Sequence, residues 1–265
     1  MNICLFSQSL FALNLGDAIA TTSRAGFSAI ELACTAPHFD PATARGQPER
    51  IARQVRDAGL SVAAFSLFNN FTDADRLDAQ IDAVAMYIRL APVFGTGLVK
   101  LTPGPPGSAD AAERHWQGVS RALDALIPLA RDHEVRLAFE THMRQLTDTL
   151  ASSLRLLEMA PADVVGVTVD FSNLSFAGED MAEAIPSFGD RIFHTHVKNG
   201  HIDAEGGWHF HALDRGLTDY AEVISLLRRT GYGGYLSLEC LGEDARQRPF
   251  ETVCRDVEML KRYLG

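Results

Sequence analysis

Basic residues are in deficit: 24 Lys and Arg stand against 34 Asp and Glu, for a formal net charge of −10 and a pI near 5.3. That balance argues against nucleic acid or an anionic membrane surface as the partner. Cysteine is scarce, with only Cys4, Cys34, Cys240 and Cys254, and no two are spaced as CxxC. Neither a zinc ribbon nor a dithiol redox motif is supported, and the four read as small buried hydrophobes. No apolar run approaches the length of a membrane span. The opening MNICLFSQSLF lacks a basic segment before its apolar run and reads as a strand rather than a signal peptide. A cytoplasmic protein with reduced thiols is expected. A GxGxxG turn is also missing; the segment after the first strand reads SQSLFALNLG. This disfavours an open, doubly wound nucleotide-binding sheet.

What is present is one unit repeated along 265 residues, of which 46% are hydrophobic and 22% charged. Short apolar runs alternate with longer segments that carry apolar residues at helical spacing. The runs are Asn2 to Ser7, Ser28 to Ala33, Ser61 to Leu67, Leu98 to Thr102, Val135 to Glu140, Val164 to Asp170, Ile192 to Val197 and Gly234 to Glu239. Between them, stripes such as Leu77, Ile81, Val84 and Ile88, or Val253, Val257, Leu260 and Leu264, mark amphipathic helices. Gly59, Gly95 and Gly231 end helices, Pro128 should kink one, and Asn199 to Leu217 reads as a long loop. Alternating strands and crossover helices give a parallel sheet, and eight units favour closure. About 250 residues make one (β/α)8 barrel. The fold class is therefore α/β, a single TIM-barrel domain over 1–265.

Side chains alternate across a strand. Val165, Val167 and Val169 face one way, whereas Gly166, Thr168 and Asp170 face the other. Ile192, His194, His196 and Lys198 share a face opposite Phe193, Thr195 and Val197. In a barrel, chemistry gathers at the C-terminal strand ends. Those positions hold Glu140, Asp170, His196 and Glu239 on four consecutive strands. Three carboxylates at one mouth repel one another, and a divalent cation relieves the repulsion. Oxygen-rich ligands with one imidazole suit Mn²⁺, Mg²⁺ or Co²⁺. The competing reading is four separate surface groups balanced by arginines.

The motifs LAFETH (Leu137 to His142), VTVDFSN (Val167 to Asn173), HTHVKN (His194 to Asn199), GYGGYLSLE (Gly231 to Glu239) and GFSAIEL (Gly26 to Leu32, with inward Glu31) carry a resemblance to the xylose-isomerase-like sugar phosphate isomerase/epimerase family. It spans nearly the whole chain. It implies one divalent ion, Mn²⁺ first and Mg²⁺, Co²⁺ or Zn²⁺ otherwise, held by Glu140, Asp170, His196 and Glu239. It also implies that Glu140 and Glu239 form the acid/base pair on a carbonyl sugar. Departures are visible. Asn173 stands where many members have His, and an Asn cannot shuttle a proton. The second and third strands end in Ala33-Cys34 and Ser66-Leu67, without the extra histidines of the nuclease branch. VKNGHID holds no Arg after the strand 7 His, and Arg215 is a displaced substitute.

Lys100 either touches substrate oxygens or neutralises Glu31 or Glu140. His142 follows Glu140 on the same face and suggests a supporting hydrogen bond. His194 lies one layer deeper and reads as a core histidine. The loop with His201, Trp208, His209 and His211 is a candidate sugar-stacking lid or a solvated loop. His142, Asn173, Lys100, Trp208 and Arg215 are thus the candidates for substrate contact. The expected reaction is isomerisation or epimerisation by proton transfer next to a carbonyl on a ketose. Elimination from a keto-inositol or keto-glycoside, including a C-glycoside-cleaving subunit, is the alternative; a non-catalytic sugar-binding protein is the second. A homo-oligomer is expected, with a partner subunit in the C-glycoside case.

Overall fold

Apolar stripes on the helices and branched residues on the strands must bury against each other, and the arrangement they reach is a barrel inside a ring of helices. The computed structural model describes residues 1–265. Its strands are β1 (Asn2–Phe6), β2 (Ala29–Ala33), β3 (Ser61–Ser66), β4 (Leu98–Leu101), β5 (Arg136–Glu140), β6 (Val165–Asp170), β7 (Ile192–Val197), β8 (Asn199–Ile202), β9 (Trp208–His211) and β10 (Tyr235–Leu238). Eight of them close in the order β1-β10-β7-β6-β5-β4-β3-β2, with every barrel pair parallel. β8 and β9 form a separate antiparallel hairpin. The segment read as a loop between Asn199 and Leu217 therefore holds a hairpin. Its four-residue strands are too short and too rich in His and Gly to stand out by alternation. No helix is long and apolar enough to cross a membrane.

The helical stripes bury as their spacing requires. Leu77, Val84 and Ile88 of the helix Leu77–Phe94 are buried, as are Val253, Val257 and Leu260 of Pro249–Leu264. Each fully buried aliphatic side chain contributes about 1.5–3 kcal/mol of transfer free energy. Gly95 ends its helix with φ 67°, a left-handed cap that a Cβ would strain. The helix Glu113–Asp132 runs through Pro128 without interruption.

Inside the barrel one expectation fails. Strict alternation along β7 put Phe193 on the outer face. Instead the β6–β7 register slips, pairing Val167 with Ile192 but Thr168 with His194. Phe193 is the extra residue of this irregularity and clusters with Ala64, Leu98 and Ala138. The neighbouring Gly166 makes room, because a Cβ there would lie 2.6 Å from the Phe193 ring. From His194 onward the alternation resumes and carries His194 and His196 into the barrel.

Candidate metal and acid–base centre

Each strand end delivers its side chain for a local reason. Asp170 closes β6 and caps the next helix, Phe171–Phe176. Its Oδ1 accepts from the Asn173 N–H at 3.0 Å, which leaves Oδ2 turned to the centre. Glu239 extends β10, its N–H donating to Val197 O at 2.9 Å. Lys198 follows β7; its N–H donates to the Tyr220 hydroxyl at 2.9 Å, and that hydroxyl and Ser172 Oγ both donate to its carbonyl.

The four strand-end residues meet around His196 Nδ1. Glu140 Oε1 lies 3.2 Å from it, Glu239 Oε2 3.8 Å and Asp170 Oδ2 3.9 Å. All are buried. The other ring nitrogen, Nε2, lies 3.0 Å from Oε1 of Glu31. Glu31 also accepts from His194 Nε2 at 2.9 Å and from the Ser237 hydroxyl. Two ammonium groups complete the centre. Lys100 Nζ donates to Glu140 Oε2 at 2.7 Å. Lys198 Nζ lies 2.6 Å from Asp170 Oδ2 and 2.8 Å from Glu239 Oε2.

These contacts set the charge states. Burial works to raise the Glu140 carboxyl, but Lys100 and then His196 hold it well below the usual carboxylate range. Burial likewise opposes ionisation of Glu31, yet His196 and His194 hold it well below that range. Burial pushes Asp170 up; Lys198 opposes this, while Glu239 and Glu140 add to it. Burial disfavours a charged His196, but Glu31 and Glu140 outweigh it and push the imidazole up to about 10. Lys198 is raised as well: Asp170 and Glu239 outweigh its burial.

The donor set fits a divalent ion. Four buried carboxylates, counting Glu31, face two ammonium groups and one imidazolium. Counted with every carboxylate ionised, the set carries one negative charge, and exchanging the Nδ1 proton of His196 for a divalent cation brings it to zero. Glu31 on Nε2 holds the proton there and turns the Nδ1 lone pair to the carboxylates, the usual outer partner of a ligating histidine. Glu140, Asp170 and His196 already offer ligand atoms within 4.8 Å of one another. Asp170 Oδ2 has no well-aligned hydrogen bond despite its burial.

The structure distributes the remaining candidates as follows. Lys100 is a partner of Glu140. His142 is half-buried, with Nδ1 2.8 Å from Met143 O. Asn173 is buried; its amide donates to Thr141 O at 3.0 Å, and its Oδ1 has no partner. Trp208 stacks under the Arg144 guanidinium at 4.7 Å, and Arg144 donates to Gly206 O at 3.3 Å, so the hairpin is stitched to the segment after β5. Phe210, on the same hairpin face, lies 6.2 Å from Phe176 and 5.7 Å from Lys198 Nζ. Arg215 is not brought to the carboxylates. It lines a cleft beside the hairpin that none of them lines.

Lys198, Glu31 and Phe68 are the additions. Lys198 stands two residues past His196, so alternation alone marked it as inward. Glu31 was seen as inward but not as the partner of both histidines, which requires the barrel to close. Phe68 is 46% exposed, with Lys100 Nζ 4.7 Å from its ring, and no periodic signal flags it. Trp208→Ala is expected to lower kcat/KM several-fold and shift Tm little, since Trp208 is outside the core. Steady-state kinetics and thermal unfolding check this; a lower Tm with unchanged kinetics makes Trp208 structural.

A closed parallel barrel with an acid-lined mouth and a carboxylate–imidazole centre defines the class. The chain belongs to the family described as Xylose isomerase-like TIM barrel, which matches residues 19–263. It is 24% identical over 259 residues to a 3-dehydroshikimate dehydratase of Bacillus anthracis, covering 92% of each chain. It is 26% identical over 163 residues to an inosose dehydratase of Lacticaseibacillus casei, a match that spans only 56% of this chain and 53% of that protein. An L-ribulose 3-epimerase superposes with a TM-score of 0.80 at 20% identity, covering 99% of this chain and 94% of that one, a likeness of fold.

Proposed function

We propose that the chain is a divalent-metal-dependent dehydratase acting on a polyhydroxylated ketone. It would remove the proton next to the carbonyl and expel water from the β carbon. The observation that carries this is the unequal engagement of two carboxylates at one centre. Glu140 is the single carboxylate on Lys100, at 2.7 Å, whereas Glu239 shares Lys198 with Asp170, at 2.8 and 2.6 Å, and this difference persists when His196 Nδ1 gives up its proton to a metal. Glu239 is therefore the freer base.

Glu140, Asp170, His196 and Glu239 would hold the ion, which when bound supplies Lewis-acid stabilisation of the developing oxyanion. Glu239 takes the α proton, and Lys198 holds it aimed beforehand. The carboxylic acid so formed returns that proton to the β-hydroxyl as its C–O bond breaks. Water leaves, an alkene conjugated to the carbonyl remains, and Glu239 is again a carboxylate. A low-lying Glu140 carboxyl stays ionised and makes a poor proton donor, which disfavours delivery to the opposite face as epimerisation requires. The exposed ring of Phe68 and the inner face of the hairpin provide apolar walls beside these polar groups. The dehydratase names of both relatives point the same way, and the epimerase among the structural neighbours shares the first step.

The test is incubation with 3-dehydroshikimate, inososes and free ketoses in D₂O with Mn²⁺, followed by mass spectrometry and NMR. Conversion to a product lighter by one water is expected for a cyclic hydroxyketone. Deuterated substrate of inverted configuration without water loss would replace dehydration by epimerisation. Neither change, with saturating ligand bound, would leave a binding protein.

A further inference from the structure

The β8–β9 hairpin has two unlike faces. Antiparallel register pairs Asn199 with His211, Gly200 with Phe210, His201 with His209 and Ile202 with Trp208. Ile202, Trp208 and Phe210 therefore share the face that meets Arg144, Phe176 and Lys198. His201, His209 and His211 share the other, and all three are exposed. Nothing in the proposed reaction uses them.

Their arrangement is ordered. His211 Nε2 lies 3.0 Å from His201 Nδ1. The His201 ring stacks on those of His209 and His211, at 5.0 Å in each case and within 15° and 16° of parallel. Asp203 Oδ2 accepts from His209 Nε2 at 2.6 Å, fixing that ring and leaving its Nδ1 uncommitted. His211 is lowered from its ordinary value by partial burial and then by His201, His209 and Arg215. The face borders an open cleft of about 800 Å³, whose walls also carry Asp214, Glu243 and Asp244. An ion can enter from solvent.

We propose that this outer face is a second metal site, distinct from the barrel centre, that takes a divalent transition ion of the zinc, nickel or copper type. His201 and His211 supply the two nitrogens, with solvent completing the coordination, and His209 stacks on His201 and holds that ring in place. Two nitrogens bound to one ion at ~2.1 Å and separated by about 90–109° lie ~3.0–3.4 Å apart, so the His201–His211 spacing already suits an ion once the rings turn their nitrogens from each other towards it. Imidazole ligands favour these ions, whereas the oxygen-rich barrel centre favours harder ones. Bound there, the ion would tie β8 to β9 and stiffen the element whose opposite face carries Trp208 and Phe210.

The probe is Zn²⁺, read by equilibrium dialysis of the full chain with elemental analysis at low-micromolar free metal. Wild type should hold one more zinc per chain than the His201→Ala/His211→Ala double variant. The single variant His211→Gln should weaken that zinc at least tenfold, and it decides the matter should the double variant fail to fold. Asp170→Asn should leave the hairpin zinc in place, so failure of the barrel centre to bind metal is distinguishable from failure here. Equal zinc content in wild type and a folded double variant would overturn the proposal and leave an N–H···N bond between two exposed rings.

Discussion

Glu239→Gln should lower turnover by about 10²–10⁴-fold, the range that a positioned general base contributes. The amide keeps the shape of the side chain and its contact with Lys198 but cannot take a proton. Because Glu239 is also a candidate ligand, occupancy must be measured with the kinetics. At metal concentrations that restore full loading, the loss should remain in kcat, and cleavage of the substrate's α C–H bond should slow to the same extent. Glu140→Gln should weaken metal binding through a lost charge and leave Lys100 without its partner. A metal-loaded Glu239→Gln protein that turns over at the wild-type rate would remove Glu239 as the base and point to another group at the mouth, with His142, two residues past Glu140, and Lys100 the first to be tested.

Glu31→Ala should produce the largest loss of stability. Glu31 is fully buried and holds His194, His196 and Ser237 at once. Removing one partner of a buried charged pair costs about 3–5 kcal/mol, because the groups left behind keep their desolvation penalty. Urea unfolding should show this as a lower midpoint. Metal affinity should also fall about 10–100-fold, as it does when the partner of a ligating histidine is lost. Glu31→Gln should recover part of the stability and less of the metal affinity. The pH dependence has a definite sign. A carboxyl held well below its unfolded value contributes stability that is present above that value, about 4.3 for Glu, and lost as pH falls through the folded value. The acid side of the wild-type stability curve should therefore flatten in the metal-free Glu31→Ala protein. A variant as stable as wild type at pH 7, with unchanged metal affinity, would reduce Glu31 to a spectator.

The alternation of Val165 to Asp170 was enough to place Asp170 inward, and the same rule placed His194, His196 and Lys198. It misplaced Phe193, because a register slip is a property of two paired strands and leaves no mark in one of them. The pairing of Lys100 with Glu140 rather than Glu31 had the same character: β5 lies beside β4, whereas Glu31 stands on β2, one strand further off, an order that the closed barrel sets. The hairpin was read as loop because its four-residue strands alternate His with Phe, Trp and Gly, a weak pattern over so short a span.

What the sequence determined by itself was therefore local and periodic: eight strand–helix units, the inward face of most strands, and a ligand-type residue at four consecutive strand ends. Those follow from side-chain direction and burial, which repeat every 2 or 3.6 residues. What only the tertiary structure decided was long-range. Glu31 reaches two histidines more than 160 positions away, Lys198 lies between acids of two other strands, and three histidines gather on one hairpin face. Those contacts arise when the barrel closes and the hairpin folds back, and their energies depend on distance and desolvation, quantities that no spacing along the chain encodes.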